Sequence, residues 1–325
     1  MMSKRNLTDI VSAIHAAKTI ALVSHVSPDG DTLGSALALR GGLEQLGKTV
    51  SHFCQDPVPR NLMMLKGADL VRVPESAAGE SFDLLLCVDV SDEKRMGSCV
   101  MLRQQAAVTA QIDHHGTNPM YMERNVVDAA ASATGLIAHE LLQALSVQLN
   151  RDIATCLYVA ISTDTGNFSY SNTTEEAFSV VSGLMAYGLP LAELTRTLFR
   201  ERTKAAMLLL RRALNSMTFY ADDRLAVMTL SLKDFEECGA LPENADAIVN
   251  FGVEIQGVEM ALLAKETAAG PIKMSLRAMA PRTVNDIASA FGGGGHAQAS
   301  GCSVEGTLQQ AAELVAQAMV EALNK

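Results

Sequence analysis

No run of this 325-residue chain is apolar for long enough to span a membrane, and its first ten residues, MMSKRNLTDI, lack the apolar core of a secretion signal. The expected location is the cytoplasm. Net positive charge is missing too. With 26 basic and 36 acidic residues the formal charge is −10, a poor match to a protein that follows long nucleic acid by neutralising its phosphates. A small anionic ligand, held by metal ions and a few placed cations, remains allowed. The six cysteines, Cys54, Cys87, Cys99, Cys156, Cys238 and Cys302, show neither CxxC nor paired spacing, so they read as buried free thiols in a reducing compartment. Internal repeats and low-complexity tracts are absent. Charged residues make up only 19% against 48% hydrophobic, which excludes disorder and supplies ample core. At this length two domains are expected, since one core seldom serves so long a chain.

What is present in the first half alternates β-like and helical runs. Residues 19–24 (TIALVS), 49–53 and 107–112 read as strands, and 82–90 (FDLLLCVDV) is continuously apolar, as for a strand covered on both faces. Helical patterns occupy 33–46, 133–145 and 153–162. This order predicts an α/β domain with an open, mostly parallel sheet flanked by helices, which carries ligands beyond the carboxyl ends of its strands. After a charged helical connector over about 191–216, the pattern changes. Runs at 217–220 and 225–230, and at 258–265 and 272–279, flank turn residues and predict two hairpins. Helices at 285–291 and 308–323 complete a smaller α+β domain. The expected division is a catalytic domain over 1–190, a helical linker over 191–215 and a second domain over 216–325.

Histidines and carboxylates gather where the strand-like runs end. His25-Val-Ser-Pro-Asp29-Gly-Asp31 follows the first run, and its turn can aim two carboxylates at different ions, Gly30 permitting the tight backbone. Alone, the PDGD tetrapeptide would be a surface turn with a capping aspartate. Asp89 ends an apolar strand, where an unpaired carboxylate is costly to bury, so bridging two cations explains it better than capping the next segment. Asp113-His114-His115 follows AVTAQI. If extended, the histidines point in opposite directions, one toward metal and the other toward substrate, while Asp113 orients an imidazole. Asp164 closes a helical run, and Gly166 beside it would otherwise be an ordinary stop signal. His15, His52 and His139 have no such context and read as packing or surface residues. Mixed carboxylate and imidazole donors suit Mn²⁺, Mg²⁺ or Fe²⁺ better than structural zinc.

In this order, His25-x-x-x-Asp29-x-Asp31, Asp89, Asp113-His114-His115 and Asp164 resemble the motifs of the DHH phosphoesterase superfamily. Gly292–His296, with Gly301 after it, resembles the glycine-rich signature of the associated DHHA1 domain. The stretches PVPRNLMMLKG, STDTGNFSYSNTT and FGGGGHAQASGC are similar to those of the bacterial bifunctional oligoribonuclease and 3′-phosphoadenosine 5′-phosphate phosphatase group.

The resemblance implies two divalent ions, Mn²⁺ first and Mg²⁺ as the other option. His25, Asp29 and Asp89 would hold one, and Asp31, Asp89, His114 and Asp164 the other. His115 would face the scissile phosphate. Arg277, Gly293, Gly294 and His296 would contact substrate from the second domain. Ions about 3.5–4 Å apart would share a hydroxide nucleophile. The implied substrates are short RNA oligonucleotides and 3′-phosphoadenosine 5′-phosphate, with no long nucleic acid and no membrane partner, and a homodimer is compatible. A cyclic di-AMP or linear pApA phosphodiesterase would use the same ions. A catalytically silent nucleotide-binding regulator is the alternative of another class.

Overall fold

The computed structural model describes residues 5–324, apart from residue 269 and the side chain of His296. The chain falls into two units, Met1–Glu201 and Arg202–Lys325, each built round its own sheet.

In the first unit β1 (Thr19–Val23), β2 (Thr49–Phe53), β3 (Phe82–Val88), β4 (Ala106–Asp113) and β5 (Arg124–Val127) line up in the order β2-β1-β3-β4-β5, every pair parallel. The sheet is thus wholly parallel, a sharper result than the mostly parallel one predicted. The order reverses at β1, whose two neighbours are reached in opposite directions, and such a switch point opens a crevice at the carboxyl ends of the strands. Val23 sits opposite Cys87, and Val88 opposite Ile112, so the residues that follow β1, β3 and β4 emerge at one edge. Strand β5, RNVV, escaped the sequence reading because four residues with a polar half carry no usable period.

Helix α1 (Thr8–Ala16) precedes β1, and α2 (Gly30–Gln45), α3 (Thr134–Ala144), α4 (Arg151–Asp164) and α5 (Glu175–Leu184) follow in chain order. Asp29 caps α2, its carboxylate accepting the N–H groups of Asp31 at 3.0 Å and Thr32 at 3.2 Å. The first ten residues of α2 are all buried, so it shows no polar stripe. It is wedged between the sheet and α4. The approach to α4 is close enough that a Cβ on Gly34 would lie 2.5 Å from the Cys156 carbonyl oxygen.

The connector predicted as one helix over 191–216 is broken. A short helix α6 (Leu191–Thr195) runs into a wide turn at Arg196–Arg200, Glu201 is extended, and Thr203 caps a new helix, α7 (Lys204–Asn215), by accepting the Ala206 N–H. A hydroxyl cap within a charged helical pattern is a start signal that side-chain periodicity does not reveal.

The second sheet has the order β10-β11-β9-β8-β7-β6. Both predicted hairpins form: β6 (Thr218–Tyr220) pairs antiparallel with β7 (Leu225–Leu230), and β8 (Met260–Lys265) with β9 (Ile272–Ala278). β7 and β8 are parallel and are joined through α8 (Leu232–Cys238) and α9 (Asn250–Val253). α10 (Asn285–Ala290) precedes a third hairpin, and α11 (Leu308–Leu323), opened by a Thr307–Gln310 capping box, closes the unit. The glycine-rich segment, which carries no strand pattern in the sequence, is partly strand. β10 (Gly294–His296) pairs with β11 (Ala299–Val304), because backbones without side chains can approach closely there: a Cβ on Gly293 would fall 2.1 Å from the Gly301 carbonyl oxygen. All six cysteines are buried and free. Among the described residues no helix is long and apolar enough to cross a membrane.

Candidate metal centre

Five chain segments meet at the carboxyl edge of the parallel sheet. His25 lies just after β1, Asp29 and Asp31 at the start of α2, Asp89 one residue past β3, His114 and His115 just past β4, and Asp164 at the last position of α4. Three trios of donor atoms result, His25 with Asp29 and Asp89, Asp31 with His114 and Asp164, and Asp89 with His114 and His115, each within 4.8 Å. In the first, His25 Nε2 is 3.6 Å from Asp29 Oδ2 and 3.5 Å from Asp89 Oδ2. In the second, His114 Nε2 is 3.8 Å from Asp31 Oδ2, 3.7 Å from Asp89 Oδ1 and 3.5 Å from Asp164 Oδ2. These gaps are long for hydrogen bonds and short enough for a shared cation. Mixed oxygen and imidazole donors are the set that hard or borderline divalent ions take.

The imidazoles are oriented from behind. His25 Nδ1 is 2.8 Å from the Val26 carbonyl and His114 Nδ1 is 3.2 Å from that of Ala131, contacts that turn Nε2 of each ring toward the carboxylates. Arg95 Nη2 approaches His25 Nδ1 at 3.0 Å and brings a fixed cation to the rim. His115 differs: its Nδ1 donates to Asp113 Oδ1 at 2.8 Å, and Asn118 Nδ2 donates to the other oxygen of Asp113 at 2.6 Å. This is the imidazole-orienting role expected of Asp113. The two histidines do not point in opposite directions, however. β4 ends at Asp113, the strand alternation stops with it, and the rings meet edge to face with centroids 4.7 Å apart.

Asp89 occupies the centre. Its φ of +62° places a non-glycine residue in the left-handed region, a strained backbone of the sort that clusters at functional sites. The Asp89 N–H donates to the Ile112 carbonyl at 3.0 Å, and Thr134 Oγ1 donates to Asp89 Oδ1 at 2.8 Å. Asp31 is held by the start of α3, accepting the N–H groups of Thr134 at 2.7 Å and Gly135 at 2.9 Å, and Ser35 Oγ donates to it at 3.1 Å.

Protonation reflects the crowding. Burial pushes the Asp31 carboxyl well above its usual range, and repulsion from Asp89, Asp164 and Asp29 adds to this against the Thr134 donor. Burial, with Asp89 and Asp29, takes Asp164 up to about 6 although His114 pulls the other way. Burial works against a charged His25, yet Asp29 and Asp89 outweigh it and raise the imidazole to about 10. His115 is raised by Asp113 and Asp89 against its burial. Carboxylates forced together in this way are relieved by added cations.

Of the other residues singled out in the sequence, Arg277 lies on β9, half-buried, with Nε donating to Asn250 Oδ1 at 3.1 Å. Gly293 precedes β10 and Gly294 begins it. His296 ends β10, and its side chain is outside the described residues. His52 is buried, with Nε2 2.8 Å from Ser24 Oγ, a packing residue as expected. Thr134, Asn118 and Arg95 were missed. Thr134 had a usable signal, a hydroxyl in the first turn of a predicted helix, where N–H groups attract anions. Arg95 had none, since residues 93–105 wind as a kinked, irregular helix without a period.

Residues 19–161 match the model of the DHH family, N-terminal domain, and residues 223–325 that of the DHHA1 domain. Over 327 residues, 99% of this chain and 94% of the relative, the sequence is 32% identical to the bifunctional oligoribonuclease and PAP phosphatase NrnA of Thermus thermophilus. Identity to the Bacillus subtilis protein of the same name is 26%, over 91% of this chain and 93% of that relative. In fold, an exopolyphosphatase-related protein from Bacteroides fragilis matches with a TM-score of 0.92 over 97% of this chain and 95% of its own, at 24% identity.

Proposed function

Because the chain belongs to the DHH family, we propose that it is a binuclear metal-dependent phosphodiesterase that hydrolyses short oligoribonucleotides to 5′-mononucleotides and converts 3′-phosphoadenosine 5′-phosphate to AMP. The observation that carries this reading is the place of Asp89, whose Oδ2 is 3.5 Å from His25 Nε2 and whose Oδ1 is 3.7 Å from His114 Nε2. One carboxylate that reaches two imidazoles of separate donor trios has the position of a bridging ligand. The printed names of near-full-length relatives support the same chemistry. Two divalent ions, Mn²⁺ before Mg²⁺ on these donors, supply when bound a water of lowered pKa and positive charge beside the phosphoryl group.

His25 and Asp29 hold one ion in this proposal, Asp31, His114 and Asp164 the other, and Asp89 both. His115, with Nδ1–H committed to Asp113, turns Nε2 toward a phosphoryl oxygen. Arg277, Gly293, Gly294 and His296 bind the substrate's remaining phosphates or terminal nucleotide. An acidic protein with so few phosphate contacts is suited to RNA of about two to five nucleotides in the cytoplasm. The test compares kcat/KM on a ribodinucleotide, 3′-phosphoadenosine 5′-phosphate and cyclic di-AMP, with Mn²⁺ and after chelation. Chelation should silence all activity and Mn²⁺ restore the first two. Preference for cyclic di-AMP would move the substrate assignment, and full activity with chelator present would sink the metal mechanism.

A further inference from the structure

We propose that Tyr170 is the stacking platform for a nucleobase flanking the scissile phosphate, a base-binding site within the first unit; the proposal rests on the function proposed above. The loop that follows Asp164 is built unusually. Gly166, Asn167 and Phe168 all have left-handed backbone, with φ of 55°, 55° and 64°. For phenylalanine that conformation is unfavourable by roughly 1–2 kcal/mol, and strain of this kind persists only where the surroundings impose it.

The surroundings are on the page. Thr165 Oγ1 donates to the Ile161 carbonyl at 2.6 Å and accepts the Phe168 N–H at 3.2 Å, and the Tyr170 N–H donates to the Thr165 carbonyl at 3.0 Å. Asn172 Nδ2 reaches the carbonyls of Asp164 and Ser132, each at 3.1 Å, and Ser132 Oγ donates back to the Asn172 carbonyl at 2.6 Å. The loop is therefore pinned to the main chain of a metal-centre residue.

That turn sorts its two aromatic rings. Phe168 goes inward, packed on buried Tyr158 with centroids 6.3 Å apart and stacked on Phe178 at 5.3 Å. Tyr170 goes outward and is 58% exposed, a large apolar ring left to solvent in a chain with only 4% aromatic residues. One side of it is nonetheless covered. A Cβ on Gly166 would lie 2.4–2.6 Å from three atoms of the Tyr170 ring, so the ring lies directly against the bare backbone of Gly166, two residues past Asp164.

An aromatic ring with one side packed on backbone and the rest open to solvent is what single-stranded RNA binders use. Every base has a π-face, and stacking on it needs no hydrogen-bond code. An enzyme for oligonucleotides of mixed sequence needs that tolerance. Preorganisation by Gly166 also lowers the ordering cost of binding.

The experiment uses the full chain loaded with Mn²⁺. Wild type, Tyr170→Ala and Tyr170→Phe are compared on a ribodinucleotide, on the same dinucleotide with abasic riboses, and on bis-p-nitrophenyl phosphate, and Mn²⁺ affinity is measured by calorimetry. Tyr170→Ala should lower kcat/KM on the dinucleotide by about 5- to 100-fold, mainly through KM. Tyr170→Phe should stay within about twofold, since the ring and not the hydroxyl stacks. On the abasic substrate and the nitrophenyl ester the Ala variant should match wild type, with Mn²⁺ affinity unchanged. Equal losses on all three substrates, or weakened Mn²⁺ binding, would make Tyr170 a prop for Asp164 and overturn the proposal. Unchanged dinucleotide turnover in Tyr170→Ala, with wild type active, would overturn the platform alone. A wild-type enzyme inactive on the dinucleotide would overturn the proposed function and the platform with it.

Discussion

Asp31 and Thr134 are 103 residues apart in sequence, and the main-chain N–H of Thr134 donates to Asp31 Oδ2 at 2.7 Å. The Thr134 hydroxyl donates at 2.8 Å to Asp89. One residue at the start of α3 thus aligns a carboxylate from each donor trio. The partial positive charge of a helix N-terminus and two adjacent N–H groups offset part of the repulsion among the buried aspartates.

Thr134→Val keeps the main-chain donor and the side-chain shape but removes the hydroxyl. Asp89 Oδ1 then loses its orienting bond. Metal affinity or kcat/KM should fall by about 10- to 100-fold, the usual effect of removing a partner that orients a metal ligand. Thr134→Ser should recover most of it. Wild-type metal affinity and turnover in Thr134→Val would show that the hydroxyl orients nothing that matters.

Metal binding should release protons. His25, raised to about 10, is protonated at neutral pH in the metal-free protein, and its Nε2 can take an ion only as neutral imidazole. Between pH 7 and 9 apparent affinity should therefore rise by roughly tenfold per unit for each proton displaced. Calorimetry at pH 8 in buffers of different ionisation enthalpy should count at least one proton released. An affinity flat across this range would mean that His25 is not a ligand.

His25 and Asp164 move metal-free stability in the same direction, in different pH windows. A raised histidine stabilises fully below its ordinary 6.5 and loses that contribution as pH rises through about 10. A raised carboxyl has the same sign at lower pH. Asp164 holds its proton more tightly folded than unfolded, so the fold loses stability as pH rises from 3.8 through about 6. Added Mn²⁺ should therefore raise Tm more at pH 8 than at pH 5. An equal gain at both values would separate metal binding from the carboxylate crowding.

Gly34→Ala tests the scaffold behind the site. Its new methyl would meet the Cys156 carbonyl oxygen, backbone in the middle of α4, and cannot be relieved by a rotamer change. Overpacking of this kind destabilises by roughly 1–3 kcal/mol. α2 would be pushed off α4, and Asp31 at the start of one helix would shift from Asp164 at the end of the other. Thermal melting should show the loss, and a variant as stable as wild type would mean that the helices adjust freely.

The parts legible in the sequence were those where a period or an unusual residue marks its own place. Residues 82–90 announced a strand covered on both faces, and Asp89 stood out because a carboxylate there has no water. The PDGD turn read well for the same reason, and its capping function, carried by Asp29, coexists with its place in a donor trio. What stayed hidden depends on tertiary contact. The turn after Asp113 brings both histidine rings to one side, and no alternation rule reaches past the end of a strand. Asn118, which fixes Asp113, sits in a loop with no pattern of its own. The hairpin made from glycines 294 and 295 was missed because strand propensity resides mostly in side chains, and these residues have none.

Arg277→Ala should separate substrate capture from chemistry. The guanidinium is held on β9 by Asn250 Oδ1 and by the Leu276 carbonyl, which Nη1 reaches at 2.9 Å. Loss of a charge-assisted hydrogen bond to phosphate is worth roughly 1.5–3 kcal/mol, so kcat/KM on a ribodinucleotide should drop by about tenfold to a few hundredfold. Hydrolysis of bis-p-nitrophenyl phosphate, too small to need a second phosphate contact, should persist almost unchanged with the metal content intact. Asp89→Asn is the control from the other side. Asparagine tolerates the left-handed backbone at this position, so the fold should survive while both activities vanish. If Arg277→Ala instead lost both activities in parallel, or lost metal, the arginine would belong to the metal centre or to the fold rather than to substrate recognition.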